Sequence, residues 1–320
     1  MKAAVIVCTY NRCDRLAKTL ESLAASTIPD SVEWEILVID NNSSDRTRQV
    51  VEDFSRRFPG RFRYAFEPRQ GKSFALNRGI RETQADVLAF TDDDVIAEPA
   101  WLCNLTQNLF SGEWAGAGGR TLPTAACSLP NWFELDGPQT LAGAVCGGFD
   151  LGDGPCDMQR PPYGANMAYR REVFEVGSFR TDIGPGVTNP RARVGEDVNI
   201  GHGVLARGGK LRYEPNAVVR HPLDPRRVTK QYILPFAFEV GRYQAIETER
   251  KSPVYGIPRK YWTLGRLLGV EFPTRLFRWL STSEPAKRFV NRYLLSVTVG
   301  QAYELAFGRA AMSMDHQCFL

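Results

Sequence analysis

Short apolar runs and amphipathic stretches alternate along the first hundred residues. Four runs have the length and the Val and Ile content of buried strands: residues 3–8, 35–39, 61–66 and 87–90. Between them, apolar residues recur at helical spacing, as at Leu16, Leu20 and Leu23. Further helices are expected around Val50 and Phe54 and over residues 73–83. This order predicts an α/β fold with an open, mostly parallel sheet and helices on both faces.

Polar clusters follow three of the predicted strands. They are Thr9-Tyr10-Asn11, the segment 40–44, which contains Asp40 and Asn42, and Asp92-Asp93-Asp94. Open sheets of this type bind ligands outside the carboxyl ends of their strands. We therefore expect the three clusters to meet at one binding edge. Neither GxGxxG nor GxxxxGK[ST] follows any predicted strand, which argues against dinucleotide-binding and P-loop proteins.

The three consecutive aspartates predict a cation site. Neighbouring carboxylates repel one another unless a cation compensates their charge. Hard divalent ions such as Mg²⁺ take carboxylate ligands together with substrate phosphates. At the end of a strand, Asp92 and Asp94 can face one ligand while Asp93 points elsewhere. The alternative is an acidic turn exposed to solvent.

Other polar residues allow both functional and structural interpretations. Asp40 can accept hydrogen bonds from a nucleotide base or ribose, or it can cap the following helix. Glu196 and Asp197 follow a glycine at the predicted start of a helix, where acidic side chains also suit the helix dipole. Their functional interpretation is a general base that deprotonates an attacking hydroxyl. His221 closes the strand predicted at 210–221 and is either a ligand or structural.

Taken together, these segments resemble the inverting family 2 glycosyltransferases, which have the GT-A fold. The resemblance covers about residues 1–225, and the ordered set of motifs is far more specific than any one of them. The matching text is VIVCTYNR at 5–12, LVIDNNSSDRT at 37–47, GKSFALNRG at 71–79, DVLAFTDDDV at 86–95, GAN at 164–166 and GED at 195–197.

The resemblance implies a role for each matching residue. Asp197 would be the catalytic base, with Glu196 as the fallback. The metal, Mn²⁺ or Mg²⁺, would be held by Asp94 with Asp92 and His221, and Asp93 could substitute for Asp94. Asn77 and Gly79 would lie on a helix that packs near the donor site. The nucleotide-sugar donor would be held by Thr9, Tyr10, Asp40, Asn42, Lys72, Asp92 and Asp93.

The chain is expected to divide near residue 225. Residues 1–225 would form a GT-A catalytic domain, with a nucleotide-sugar half at about 1–112 and an acceptor half at about 113–225. Residues 226–320 would form a helical, basic and amphipathic extension. The net charge of +4 conceals an asymmetry. Residues 221–320 carry 15 Lys and Arg against 8 Asp and Glu, whereas residues 1–220 carry 25 against 28.

The positive charge of the extension, residues 226–320, suggests that it binds a partner. Residues 262–280 predict two amphipathic helices split at Pro273, with Trp279 and several arginines. Their apolar face either packs on the catalytic domain or makes peripheral contact with an anionic membrane. No recognised nucleic-acid module accompanies the charge, so no nucleic-acid partner is predicted.

The composition of the chain indicates in which cellular compartment the protein is expected. The chain of 320 residues is 43% hydrophobic and 24% charged, as in soluble globular proteins. Seven cysteines without metal-type spacing favour reduced thiols in a cytosol. No run of about 18 apolar residues predicts a transmembrane span. We therefore expect a cytoplasmic protein, in peripheral contact with the inner face of the cell membrane if the extension binds lipid.

The resemblance implies an enzyme that transfers sugar with inversion. The donor would be a nucleoside-diphosphate sugar, with UDP the expected nucleotide, and the acceptor a hydroxyl of a polysaccharide, a lipid-linked glycan or another cell-surface glycan. Two alternatives are a nucleotidyltransferase and a non-catalytic nucleotide-sugar-binding scaffold. The text CTYNRCD after the first strand lacks the Gly-rich loop of nucleotidyltransferases. The intact acidic motifs argue against a scaffold.

Overall fold

The fold is an α/β sheet followed by a group of helices. A computed structural model describes residues 1–125, 128–137, 139–188, 191–249 and 253–308. The strands are β1 Lys2–Thr9, β2 Glu33–Asp40, β3 Phe62–Phe66, β4 Val87–Asp92, β5 Ile96–Ala97, β6 Gly116–Thr124, β7 Cys156–Asp157, β8 Met167–Arg170 and β9 Leu211–Pro222. The helices are α1 Cys13–Ala24, α2 Thr47–Arg57, α3 Lys72–Glu82, α4 Trp101–Thr106, α5 Ala142–Cys146, α6 Glu196–Ala206, α7 Lys230–Glu249, α8 Arg259–Arg266, α9 Phe272–Ser281 and α10 Pro285–Phe307.

The nine strands form a single sheet in the order β3-β2-β1-β4-β8-β6-β9-β5, with β7 paired to β9. Strands β3, β2, β1 and β4 are mutually parallel, as the alternating pattern of the first hundred residues predicts. β8 runs antiparallel between β4 and β6, and β6 is parallel to β9. The predicted open α/β sheet is confirmed, with its parallel part in the N-terminal half.

Strand β1 shows why the sheet is covered on both faces. Val5 and Val7 point into a core shared with α1, α2 and α4, whereas Ala4 and Ile6 point into a second core shared with α3 and α6. Successive side chains of a strand face opposite ways, so an unbroken apolar run requires two buried faces. Each fully buried Val or Ile contributes about 1.5–3 kcal/mol of hydrophobic stabilisation.

The strand register brings the polar clusters to one edge. Thr9 at the end of β1 is opposite Asp40 at the end of β2, and Cys8 is opposite Asp92 at the end of β4. Because these strands are parallel, their carboxyl ends open on the same side of the sheet. The predicted convergence of the three clusters is therefore present in the fold.

Helices α7 and α10 pack with their backbones in contact. A Cβ atom at Gly241 would lie 2.0 Å from the carbonyl oxygen of Val297, and one at Gly300 would lie 2.0 Å from that of Phe238. Only glycine allows this approach at either position. The predicted boundary near residue 225 falls between the end of β9 and the start of α7.

The prediction that Pro273 splits its stretch into two separate helices is wrong, because the helix is not interrupted there. The chain stays helical from α8 through a π-helical turn at Leu267–Glu271 into α9, where Pro273 occupies the first turn. Proline has no N–H to donate and its ring crowds the preceding turn. A wider turn is one way for a helix to accommodate such a site without breaking.

Two further expectations concern cysteines and membrane spans. Cys8, Cys13, Cys103, Cys146 and Cys156 are free thiols, and Cys127 and Cys318 lie outside the described residues. Within the described ranges, no helix combines the length and apolar character needed to cross a bilayer.

Candidate functional site

A cleft of about 1250 Å³ opens at the carboxyl edge of the sheet. Its lining includes the ends of β1 and β4 together with residues of α7 and, from α10, Tyr293. Eight of the predicted site residues line this cleft: Thr9, Tyr10, Lys72, Asp92, Asp93, Asp94, Glu196 and Asp197.

Asp92, Asp94 and His221 form a group suited to a divalent cation. One ligand atom from each residue lies within 4.8 Å of those of the other two. His221 Nε2 is 3.2 Å from Asp94 Oδ1, and its Nδ1 is 3.1 Å from the carbonyl oxygen of Pro222. When Nδ1–H donates to that carbonyl, the neutral ring directs the lone pair of Nε2 at a carboxylate oxygen. Two facing acceptors need a proton or a metal ion between them, so this donor set fits Mn²⁺ or Mg²⁺.

Arginine side chains surround the same aspartates. Arg12 Nη1 donates to Asp93 Oδ1 at 2.9 Å and to Asp94 Oδ2 at 3.1 Å. Arg15 bonds Asp94 Oδ2 at 3.3 Å and Asp224 Oδ2 at 3.0 Å. Burial alone would raise the pKa of Asp94, but His221 and Arg12 hold it well below its usual range. The acidic cluster is therefore compensated by positive charge.

The pKa of His221 is shifted in the opposite direction to that of Asp94. Burial disfavours its charged form, but the hydrogen bond and the charge of Asp94 outweigh that effect and raise the pKa of His221. A metal ion in this position would replace the imidazole proton, since metal-ligating histidine is neutral.

Asp93 points away from this group. Its Oδ2 accepts a hydrogen bond from the Thr9 hydroxyl at 2.7 Å, and its Oδ1 accepts the bond from Arg12. Burial raises the pKa of Asp93 although Arg12 opposes the shift. The alternation expected at the strand end is thus present, with Asp92 and Asp94 directed together and Asp93 turned towards β1.

Lys72 connects the two acidic parts of the cleft. Its Nζ lies 2.7 Å from Asp92 Oδ1 and 3.9 Å from Glu196 Oε1. Burial disfavours the ammonium, but the charges of Asp92, Glu196 and Asp197 outweigh it and raise the pKa of Lys72. Lys72 is therefore a permanent cation beside the predicted diphosphate site.

Glu196 and Asp197 begin α6 but differ in environment. Glu196 is buried, and burial together with the charge of Asp197 raises the pKa of Glu196 to about 8. Asp197 is half-buried, and its carboxylate accepts the N–H of Gly164 at 2.7 Å and that of Val198 at 2.9 Å. Two backbone donors suit an anionic carboxylate. Since the raised pKa leaves Glu196 largely protonated at neutral pH, Glu196 is the less suitable proton acceptor of the two.

Two predicted donor contacts are absent from the cleft lining. The Asp40 carboxylate is buried and accepts hydrogen bonds from Tyr64 Oη at 2.9 Å and from the Ser43 N–H at 2.8 Å. Asp40 and Asn42 do not border the cleft, whereas Asn41 does. Asp40 does not cap α2 either, because the Thr47 N–H bonds Asp45. The nucleotide roles of Asp40 and Asn42 stay predictions.

Several residues of the cleft lining are aromatic. They are Tyr163, then Tyr232, Phe236 and Tyr243 from α7, and Tyr293 from α10. Sequence reasoning missed these residues, as it missed the partners Arg15 and Asp224. One feature of the sequence pointed to Arg12, because it is the last residue of the first matching motif, VIVCTYNR. No comparable signal marks the aromatic residues, because only the packing of α7 against the cleft reveals them.

Comparisons with known proteins identify a family and several relatives. Residues 4–177 match the model of glycosyl transferase family 2, a stretch that includes Asp92–Asp94 but ends before Glu196. The succinoglycan biosynthesis protein ExoM of Rhizobium meliloti is 27% identical over 237 residues, which cover 74% of this chain and 72% of that protein. The glucosyl-dolichyl phosphate glucuronosyltransferase of Haloferax volcanii is 31% identical over 189 residues, 58% of each chain.

A solved structure shares the fold. The mannosyltransferase PcManGT from Pyrobaculum calidifontis, in complex with GDP-Man and Mn²⁺, superposes with a TM-score of 0.61. The match covers 94% of this chain and 87% of that one at 18% identity. With a family match over more than half of its length, and with the acidic residues of its motifs gathered in one cleft, the chain belongs to glycosyl transferase family 2 and is a glycosyltransferase.

Proposed function

We propose that this protein transfers a sugar from a nucleoside-diphosphate sugar to an acceptor hydroxyl, with a divalent metal and inversion at the anomeric carbon. The single observation that carries the proposal is the opening of two acidic groups on one cleft. Asp92 and Asp94, which group with His221, line the cleft together with Asp197. Lys72 Nζ lies 2.7 Å from Asp92 Oδ1 and 3.9 Å from Oε1 of Glu196, the neighbour of Asp197. Such an arrangement can hold a diphosphate and a base on opposite sides of one sugar.

Each residue would serve one part of the reaction. Asp92, Asp94 and His221 would hold Mn²⁺ or Mg²⁺, which supplies Lewis-acid neutralisation of the charge that develops on the leaving diphosphate. Lys72 would add a fixed positive charge at the same place. Asp197, kept in orientation by Gly164 and Val198, would take the proton from the acceptor hydroxyl. Attack from the face opposite the leaving group inverts the anomeric centre, as in single-displacement glycosidases.

The relatives support a nucleotide-sugar donor, but their names refer to different sugars. The solved mannosyltransferase has GDP-Man and Mn²⁺ bound, and the Haloferax protein is named for a glucuronosyl donor and a dolichyl phosphate-linked acceptor. ExoM is named for succinoglycan biosynthesis. We propose a UDP-sugar as donor and a polysaccharide or lipid-linked glycan as acceptor.

A thermal-shift screen of UDP-, GDP- and dTDP-sugars with and without Mn²⁺ tests the donor. The true donor should raise the unfolding temperature only with metal, because a ligand that binds the native state stabilises it by mass action. Release of the nucleoside diphosphate in the presence of an acceptor then tests transfer. Donor binding without release would favour the scaffold alternative, and no binding of any donor would contradict the proposal.

We also propose that α8 and α9 lie on an anionic membrane. Leu264 and Leu267 pack inward near Ala245 of α7 and Leu305 of α10, so these two helices cover one apolar face. A second apolar face points outward, where Phe277 is 70% exposed and Leu280 61%. Leu268, Val270, Tyr255 and Tyr261 are also exposed.

The positive charge of this region favours an anionic lipid surface as the partner that binds the outward face. Residues 253–282 contain five Lys and Arg against one Glu. A basic amphipathic helix with exposed aromatic residues binds the interface of anionic bilayers. The proposed lipid-linked acceptor would then be presented beside the cleft.

Co-sedimentation with vesicles tests the membrane contact. The wild-type protein should sediment with phosphatidylcholine vesicles that contain phosphatidylglycerol, less so at high salt, and not with phosphatidylcholine alone. Phe277→Glu should abolish sedimentation, whereas Val176→Glu, a matched change at an exposed position of the catalytic domain, should preserve it. Equal sedimentation of both variants, or none by the wild type, would overturn the membrane proposal and leave sugar transfer untouched.

A further inference from the structure

A buried carboxylate on the last helix contacts the loop that leads into the catalytic acids. Glu304 of α10 is 2% exposed. Its Oε2 accepts a hydrogen bond from Arg242 Nε of α7 at 3.0 Å, and its Oε1 lies 3.4 Å from Arg191 Nη2. A carboxylate removed from water needs such partners, because an unpaired buried charge is strongly destabilising. Glu304 therefore ties the segment that contains Arg191 to the two packed helices.

The same ion network reaches the backbone of this segment. Arg242 Nη1 lies 3.2 Å from Glu239 Oε1, and Glu239 Oε2 accepts the backbone N–H of Arg193 at 2.8 Å. The Arg193 N–H therefore has its acceptor on α7, outside the catalytic domain. With Glu304 on one side and Glu239 on the other, Arg242 aligns both carboxylates towards residues 191–193.

Residues 191–195 run directly into Glu196 and Asp197. On the domain side they are held by backbone bonds, from the Arg191 N–H to Asp182 at 2.8 Å and from the Gly184 N–H to Ala192 at 2.9 Å. On the helix side, Tyr243 packs so closely on Gly195 that a Cβ atom there would lie 2.2 Å from its ring. The segment that leads into α6 is therefore held by contacts from α7 and α10 as well as by residues 182–184.

We infer that Glu304 is a positioning residue for the catalytic acids, acting through Arg191 and Arg242 on the segment 191–195. The inference rests on the proposed function in that Asp197 is taken as the base. It assigns the C-terminal helices a part in the active site that is separate from the membrane contact. Loss of the Glu304 charge would remove the carboxylate that joins Arg242 to Arg191 and would release the segment from one side.

The test compares Glu304→Gln with Glu284→Gln, the same change at an exposed position before α10. Steady-state kinetics separate kcat from the donor KM, and hydrogen exchange by mass spectrometry follows the amides of 191–195. For Glu304→Gln we expect kcat to fall about 10- to 100-fold, because small misplacements of catalytic groups have effects of that order. The donor KM should stay near the wild-type value, because Glu304 does not line the cleft. Exchange should accelerate in 191–195 and remain unchanged in β1 and β4.

A second variant addresses a simple loss of stability. Glu304→Asp keeps the charge on a shorter side chain and should recover part of kcat and part of the protection at 191–195. Wild-type kcat and exchange in Glu304→Gln would overturn the inference. So would uniform acceleration of exchange across the sheet with no recovery in Glu304→Asp, because that result would mean a purely structural role. If the wild-type protein transfers no sugar, the proposed function fails, and the exchange measurement alone still decides whether Glu304 positions the segment.

Discussion

Replacement of Asp197 by Asn tests the assignment of the base. Asn keeps the size and one carbonyl oxygen of the side chain but cannot take up a proton. In the wild-type protein both carboxylate oxygens accept backbone N–H groups, from Gly164 and from Val198. The amide oxygen of Asn can accept only one of the two bonds in that geometry, and its NH₂ group then faces the other donor.

Two magnitudes follow from these contacts. A positioned general base contributes about 10²- to 10⁴-fold to the rate, so kcat of Asp197→Asn should fall by that factor. An orphaned backbone donor in a partly buried site costs about 1–3 kcal/mol, which sets an upper limit for the loss in unfolding free energy. The donor KM should change little, because the Asp197 contacts are made to the protein backbone rather than to the donor end of the cleft.

The matched control is Glu196→Gln. Since burial and Asp197 raise the pKa of Glu196 to about 8, Glu196 is largely protonated at pH 7, and Gln copies this neutral state. Nucleotide release should therefore persist at most of the wild-type rate in Glu196→Gln and collapse in Asp197→Asn. A result with the two variants exchanged would make Glu196 the base, and full activity in Asp197→Asn would refute the reasoning.

Three further predictions concern stability. Because folding raises the pKa of Glu196 from its ordinary value of 4.5 to about 8, the unfolding free energy should fall as pH rises through that window. Urea titrations of the wild type and of Glu196→Gln check this, and parallel pH profiles of the two would contradict it. Gly195→Ala should destabilise the protein by at least about 1–3 kcal/mol and lower kcat, because Gly195 has φ +97° and a Cβ atom there would meet Tyr243. Thermal unfolding measures the loss, and an unchanged midpoint would exclude the contact. Gly79→Ala places a Cβ atom 2.6 Å from Ile6 Cγ2 and should cost about 1–3 kcal/mol. In an Ile6→Ala background, which lacks the Cγ2 methyl, Gly79→Ala should cost less if the clash with Ile6 is its source.

The donor half could be predicted because its signals are local. The runs that became β1, β2 and β4 are apolar except for Glu35 in β2, and each strand ends at a polar residue. Parallel pairing then forces Thr9, Asp40 and Asp92 to one edge without further information. Position alone did not decide between ligand and structural roles for His221. Its place beside Asp94 depends on β9 pairing with β6 in the second half of the sheet.

The rest of the site depends on contacts between distant segments. Arg15 reaches both Asp94 and Asp224, a residue 209 positions away. Nothing in the spacing of the chain predicts that pair. The aromatic wall of α7 looks in sequence like any helix that packs on a core. Pro273 was misjudged for a different reason, since proline disfavours an α-helical hydrogen bond but does not forbid a π-helical turn.

Calorimetric titration of UDP, with and without Mn²⁺, tests most directly whether Asp92, Asp94 and His221 hold a metal that carries the donor diphosphate. The wild-type protein and Asp30→Asn, a matched change at an exposed aspartate, should bind UDP much more tightly when Mn²⁺ is present. Asp94→Asn should show no such gain while retaining its thermal unfolding transition. UDP affinity that is independent of Mn²⁺ in the wild type, or a full Mn²⁺ gain in Asp94→Asn, would contradict the account.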